Sequence, residues 1–281
     1  MRGEGILPLT MLGSHEVPRG GGSLPADAPP GVTLVLPTYN ERLSLPPLLR
    51  QLSERLQGQP WSWEILVVDD DSPDGTAQAA RDSGIPGPLR VIVRSGERGL
   101  ASAILRGLWE ARGRVALVLD ADGSHPPELV VSLVNEVLSG RCEMALASRY
   151  IRGGSTRGWP LRRRLLSRGA TLLARPLTPV KDPMSGFFAV DREVLSRARL
   201  DPVGYKIALE ILARCRPAPV REIPFEFRDR REGESKMGAA EVLRYLRHLG
   251  RLYRFRLAGR LPLGQRGGPG VSPGGLLPPQ R

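Results

Sequence analysis

A chain of 281 residues that is 41% hydrophobic can bury one large core or two small ones. Its 41 Lys and Arg against 29 Asp and Glu leave a net charge of +12, a field that attracts phosphates on nucleotides, nucleic acid or anionic lipid. No apolar run approaches the ~18 residues of a transmembrane helix, and the first residues lack the pattern of a signal peptide, so the sequence predicts a protein that does not span a membrane by itself.

Residues 1–30 carry Gly20-Gly21-Gly22, Pro25, Pro29 and Pro30, and residues 258–281 carry Gly267-Gly268-Pro269-Gly270 and Pro278-Pro279. Neither stretch holds enough apolar surface to offset its ordering entropy, so both read as disordered tails around one domain over 31–257. Within that domain short apolar runs alternate with helical patterns. Val32–Leu36 predicts a strand. Leu45, Leu48, Leu49, Leu52 and Leu56 share one face of a helix over 45–56. A second strand follows at Glu64–Val68, then a helix opened by Ser72 as N-cap with Pro73 in its first turn. Strand Leu89–Val93, helix Leu100–Ala111, strand Val115–Leu119, helix Pro126–Leu138 and strand Met144–Ala147 complete the series. The remainder is less regular: a basic helix near 161–174, a strand at Gly186–Val190, a helix at Tyr205–Ala213, a strand at Val220–Phe227 and an amphipathic helix within 239–257. Continuous apolar strands alternating with helices imply an α/β fold, a mostly parallel sheet covered on both faces. Cys142 and Cys215 each sit in apolar stretches and read as buried thiols, with no zinc spacing, which suits the cytosol.

Ligands of open α/β sheets bind beyond the carboxyl ends of the strands. Three polar clusters fall there: Pro37–Glu41 after the first strand, Asp69-Asp70-Asp71 after the second, and Asp120-Ala121-Asp122 after the fourth. Asp120 and Asp122 form a carboxylate pair whose hard oxygens suit Mg²⁺ or Mn²⁺, ions that also take substrate phosphate as ligand. Three adjacent carboxylates at 69–71 repel one another and exceed what a turn needs, which points to contact with a nucleoside or the metal region.

The motifs Leu36-Pro37-Thr38-Tyr39-Asn40-Glu41, Val68-Asp69-Asp70-Asp71-Ser72-Pro73-Asp74-Gly75-Thr76 and Asp120-Ala121-Asp122-Gly123-Ser124-His125-Pro126-Pro127-Glu128 resemble those of inverting family 2 glycosyltransferases of the GT-A fold. Ser148-Arg149-Tyr150, Ser167-Arg168-Gly169-Ala170, Asp182–Phe188, Gly204-Tyr205-Lys206 and Gly233-Glu234-Ser235-Lys236 narrow the resemblance to the dolichol-phosphate (polyprenol-phosphate) mannose synthases. The resemblance implies that Pro37, Tyr39, Glu41, Val68 and Asp70 hold the nucleoside of GDP-mannose. It places Asp120, Ala121 and Asp122 at the diphosphate and metal, with Ser124 beside the metal where some relatives have Gln. Arg149, Lys206, Arg230 and Lys236 would contact phosphates of donor or acceptor, and Asp122, Arg149 and Arg230 would carry the chemistry. The implied acceptor is dolichyl or polyprenyl phosphate.

Arg149, Arg152, Arg157, Arg162, Arg163, Arg164 and Arg168 occur with no acid among them, which suits a lipid phosphate or anionic membrane surface. Val242, Tyr245, Leu246, Leu249, Leu252 and Tyr253 form one face of the last helix, with Arg244, Arg247, Arg251 and Arg254 on the other; it either docks on the domain or lies in a headgroup layer. Aromatic content of 5% and the lack of a stacking platform argue against nucleic acid. The expectation is a peripheral enzyme on the cytoplasmic face of a membrane. A UDP-glucose-dependent polyprenyl-phosphate glucosyltransferase and a non-catalytic nucleotide-binding protein are the alternatives.

Overall fold

The computed structural model describes residues 31–156, 159–201, 206–227 and 239–258. Valine, isoleucine and leucine runs form strands β1 (Val32–Thr38), β2 (Trp63–Asp69), β3 (Leu89–Val93), β4 (Val115–Val118), β5 (Met144–Ser148), β6 (Phe188–Asp191) and β7 (Val220–Pro224). They make one sheet in the order β3-β2-β1-β4-β6-β5-β7. All pairings are parallel except those of β6, which runs antiparallel between β4 and β5. The central strands are buried on both faces, which explains why their sequences are continuously apolar rather than alternating.

The helices are α1 (Leu45–Leu56), α2 (Thr76–Arg81), α3 (Leu100–Glu110), α4 (Val130–Leu138), α5 (Leu161–Ala174), α6 (Arg192–Leu195), α7 (Ile207–Arg214) and α8 (Ala239–Ala258). Leu34, Leu36, Ile65, Val67 and Leu117 point to the sheet face covered by α1 and α4. Val35, Leu66, Val68 and Val118 point to the opposite face, under α3 and α7. This is the period-two division of a strand between two helical layers. Gly107 lets α3 lie against the sheet, because a Cβ there would stand 2.2 Å from Val35 Cγ1.

The carboxyl ends of β1, β2, β4 and β5 open on one rim. Because β6 runs the other way, its start at Phe188 reaches that rim too, bringing the segment 182–187 beside the loop after β4. The parallel α/β expectation therefore holds, with one reversed strand that serves the site.

Three expectations are corrected. Ser72 is not a helix N-cap: α2 starts at Thr76 behind Gly75, and the Ser72 hydroxyl instead donates to Asp69 Oδ1 and accepts the Asn40 N–H. Position 126–138 is not one helix: Pro127–Leu129 form a tighter 3₁₀ turn before α4. On α8, Leu249 and Leu252 are buried against α5 and α7, whereas Val242 and Leu246, expected on the same face, are about half exposed. In their place His248 is fully buried, with Nε2 2.6 Å from Glu210 Oε2 of α7. Tyr245 and Tyr253 donate to the Ala170 and Leu173 carbonyls of α5, each at 2.6 Å. The helix is thus docked, and its two buried leucines are not available to a membrane. Both cysteines are buried and free, and burial pushes each thiol up to about 11. The expected tails at 1–30 and from 259 onward lie outside the described residues.

Candidate active site

The rim is built first from turn chemistry. Asp69 is fully buried at the end of β2, where its carboxylate accepts from Thr38 Oγ1 (2.8 Å), Ser72 N (2.9 Å) and Ser72 Oγ (2.7 Å). Asp70 turns the other way into a buried ion pair with Arg94, and its second oxygen accepts the Gly99 N–H at 2.7 Å. Asp71 is exposed, with φ of +54°. The three neighbours point three ways, so their mutual repulsion is relieved by separate partners. Asp69 and Asp70 thereby hold the loops after β1 and β3, a structural use of this acidic turn that its sequence did not show.

Pro37 and Val68 are register partners near the ends of β1 and β2, both buried. Val68 sits in the core under α3, so it shapes the rim from inside. Tyr39 is 43% exposed, and the Arg98 guanidinium lies 5.1 Å from its ring centroid. Together they form a flat, cationic surface beside Asp70. The Glu41 N–H donates to Thr76 Oγ1, and its carboxylate accepts the Ser44 hydroxyl.

At the end of β4, Asp122 Oδ1 accepts the Ser124 N–H at 2.9 Å, and Gly123 takes φ of +76°, which a larger L residue adopts only with strain. Ala121 is buried in the core. His125 is buried; its Nδ1 accepts the Asp120 N–H at 2.9 Å, which places the proton of the neutral ring on Nε2, 3.8 Å from Asp120 Oδ2. The ring stacks on Phe187, with centroids 5.0 Å apart. His125 thus orients the loop that carries Asp120. Gly186 forms the floor: a Cβ there would lie 3.7 and 3.8 Å from the Asp120 carboxylate oxygens.

Among the described residues no group of three His, Cys, Asp or Glu side chains is arranged to hold a metal. The Ser124 hydroxyl, however, is buried with no hydrogen-bond partner. Such an orphan in the same loop as two carboxylates fits a hard divalent ion that takes its other ligands from water and phosphate.

Lys206 donates to the Met184 carbonyl at 3.5 Å. Burial, then the nearby Arg149 guanidinium, push its ammonium down to about 7, against the pull of Asp182, Asp120 and Glu241. Lys206 therefore stands within reach of Asp120, the Arg149–Asp182 pair and Glu241 of α8. Arg149 is held by Asp182, itself fully buried. Nε and Nη2 each donate at 2.8 Å, and the Arg149 N–H adds a bond of 2.9 Å. Its guanidinium also faces Trp159 at 5.2 Å and Phe227 at 5.8 Å, a pair that Arg163 shares at 3.9 and 5.6 Å. Arg230 and Lys236 lie outside the described residues.

Sequence reasoning missed Arg94, Asp182, Arg98 and Gly186 as builders of this rim. Asp182 and Gly186 had a signal, their place in the Asp182–Phe188 motif; Arg94 and Arg98 reach the site only through folding.

Residues 33–198 match the family model described as Glycosyl transferase family 2. A dolichol-phosphate mannosyltransferase of Pyrococcus furiosus is 43% identical over 80% of this chain, which spans 64% of that protein's length. Those of Mycosarcoma maydis (42% identical, 83% of this chain, 82% of theirs) and Saccharomyces cerevisiae (38%, 80% and 87%) are matched over most of their lengths. Among solved structures, mannosyl-3-phosphoglycerate synthase from Rubrobacter xylanophilus superposes with a TM-score of 0.63 at 23% identity, covering 86% of this chain and 79% of that one. Glucosyl-3-phosphoglycerate synthase from Mycobacterium tuberculosis, with Mn²⁺ and UDP, gives 0.60 at 23% identity over 82% and 80%. These likenesses at low identity show the GT-A fold. The chain belongs to glycosyl transferase family 2, in the group of the dolichol-phosphate mannosyltransferases.

Proposed function

We propose that the chain transfers mannose from GDP-mannose to dolichyl or polyprenyl phosphate, with Mg²⁺ or Mn²⁺, at the cytoplasmic face of a membrane. The observation that carries this reading is the orphaned Ser124 hydroxyl in the loop of Asp120 and Asp122, with Lys206 close enough to feel Asp120 and Arg149. That rim offers carboxylates to a cation and cations to phosphates, and the named relatives are mannosyltransferases.

A lipid phosphate oxygen attacks the anomeric carbon of the sugar, the bond to the nucleoside diphosphate breaks on the opposite side, and the anomeric configuration inverts. The products are polyprenyl phosphate mannose and GDP. The nucleophile is ionised at neutral pH and needs no general base. The described histidines agree: His125 spends Nδ1 on the Asp120 N–H, and His248 is buried on Glu210. Asp120, Asp122 and Ser124 would hold the divalent ion, which would supply charge stabilisation for the departing diphosphate. Tyr39 with Arg98 offers a platform for the guanosine, and Glu41 and Asp70 would flank it from the ends of β1 and β2. Lys206 draws phosphate oxygens to the rim, and Arg149, pinned by Asp182, presents a fixed guanidinium edge. Catalysis is then positioning plus electrostatics. Arg230 and Lys236 are assigned to the same phosphates on the resemblance of their motifs.

The test is radiolabel transfer with GDP-mannose and UDP-glucose, each offered to polyprenyl phosphate. Mannose transfer supports the reading, and transfer from UDP-glucose alone ends it.

A further inference from the structure

The segment 181–187, between α5 and β6, belongs to no helix or strand, so its backbone groups need partners from outside the regular ladders. It is nevertheless buried from Asp182 to Ser185. Three contacts of the candidate site hang from it. Asp182 holds Arg149 through two guanidinium nitrogens and the main chain. The Met184 carbonyl accepts from Lys206 at 3.5 Å. Gly186 lies under the Asp120 carboxylate. The place of this segment therefore sets the spacing between the cations and the acids of the site.

The segment is fixed at both ends. At its exit the Phe187 carbonyl accepts the Ala147 N–H of β5 at 3.0 Å. At its entrance the Lys181 and Asp182 N–H groups donate to Glu222 Oε2 and Oε1 of β7 at 2.9 and 3.0 Å. Between them the Ser185 N–H closes a turn on the Asp182 carbonyl at 3.2 Å. The two anchors stand on neighbouring strands, since Glu222 is the register partner of Leu146, one residue before Ala147. A carboxylate that gives one oxygen to each of two successive N–H groups fixes direction as well as distance, and such bonds are stronger than those to a neutral acceptor. Glu222 is half-buried and shares its strand face with Val220, which packs on the core under α3 and α7. It thus projects from a strand whose own place is set by the core.

We propose that Glu222 is a positioning residue for the candidate site: by accepting the Lys181 and Asp182 N–H groups it fixes the segment 181–187, and through that segment it sets the Arg149 guanidinium and the carbonyl that receives Lys206. Glu222 touches neither cation itself. Its effect on the reaction rests on the transfer reading, whereas its hold on Arg149 does not.

The test therefore reads the two separately. E222Q keeps one acceptor and turns an N–H₂ group toward the second N–H; E222A removes both acceptors. Amide exchange at Arg149, followed by NMR, reads the clamp, because the Arg149 N–H touches Asp182 and not Glu222. Mannose transfer from GDP-mannose to polyprenyl phosphate reads the reaction. Arg149 exchange is expected to quicken in both variants. The kcat is expected to fall about tenfold or more in E222Q and further in E222A, with KM for GDP-mannose within about threefold of wild type. The control is E64Q, which disturbs a buried carboxylate bound to Thr33 and Arg90 at the opposite end of the sheet. It is expected to lower the urea midpoint and keep kcat. A loss of kcat in E64Q equal to that in E222Q would reduce Glu222 to a fold-stabilising role and overturn the proposal. Unchanged exchange at Arg149, or unchanged kcat in both Glu222 variants, also overturns it. A wild-type protein that transfers no mannose removes the transfer reading and the kinetic effect with it, and faster Arg149 exchange in E222Q would still support the hold on Arg149.

Discussion

Asp182→Asn isolates the pair that fixes Arg149. Asp182 is fully buried and the Arg149 side chain is 9% exposed, so neither charge is screened by water. The carboxylate accepts three hydrogen bonds from the same arginine, two from the guanidinium and one from the main chain. Asparagine keeps the shape and one acceptor but turns an N–H₂ group toward the guanidinium, leaving a buried cation without its anion. Removing one partner of a buried pair costs about 3–5 kcal/mol. For a domain of this size that lowers Tm by about 6–20 °C. Urea and thermal unfolding measure it, with R149M/D182N closing the cycle. The double variant is expected to recover most of the loss, because an apolar residue in place of the arginine removes the stranded charge. A D182N protein within about 1 kcal/mol of wild type, or a double variant whose loss equals the sum of the singles, would refute the clamp. Asp182 also helps Lys206 keep its proton, so D182N should drive the Lys206 ammonium further below its present position near 7.

Asp122→Ala should abolish metal-dependent transfer while unfolding stays within about 1–2 kcal/mol of wild type, the cost of losing a capping contact such as the one its carboxylate makes with the Ser124 N–H; transfer at the wild-type rate would remove the metal role. Glu210→Gln tests the buried contact that docks α8. Burial alone would raise this carboxyl, but His248, the Asp201 N–H and Arg214 hold it below the usual range. A depressed carboxylate contributes stability above its unfolded pKa and loses it as pH falls through the folded value. The gap between wild type and E210Q should therefore be constant above about pH 5 and shrink below it, read by urea unfolding; a gap that widens in acid would contradict the assignment. Leu165 and Leu166 of α5 are 60% and 45% exposed. Flotation with anionic vesicles should recover the protein at low salt and less at high salt, and L165E/L166E should reduce recovery at both; no recovery of wild type at any salt would end the membrane reading.

The sheet was legible because its strands are buried on both faces and must be apolar throughout, as Leu34-Val35-Leu36 and Ile65-Leu66-Val67 are. The acidic pair was legible because Asp120 follows one residue after the end of β4 at Val118. The Asp70–Arg94 pair was not, since it joins the loops after β2 and β3 across 24 positions and leaves no trace in local spacing. Ser72 and Pro73 looked like a helix start because the same residue types build caps and turns; here the hydroxyl is spent on Asp69. The docked face of α8 was misjudged by one polar residue. Hydropathy counts Leu246 as core and His248 as surface, but Glu210 supplies His248 with a buried partner, which rotates the helix from the face its leucines suggest.

On the proposed function two phosphate-bearing reactants approach each other at this rim, and the clamp on Arg149 bears on which groups would oppose their repulsion. Paired with Asp182, Arg149 contributes little net charge; its value is a guanidinium edge that does not move. Net positive charge must then come from side chains less fully neutralised. Lys206 is one, and it is the group whose protonation the incoming phosphates would favour, because burial and Arg149 hold its ammonium down to about 7 before they arrive. An approaching anion raises that pKa, so phosphate binding and proton uptake at Lys206 are coupled. A buried ammonium held down to about 7 carries less of the desolvation cost that a permanently charged one would impose, several kcal/mol, on the order of a native domain's whole margin of stability.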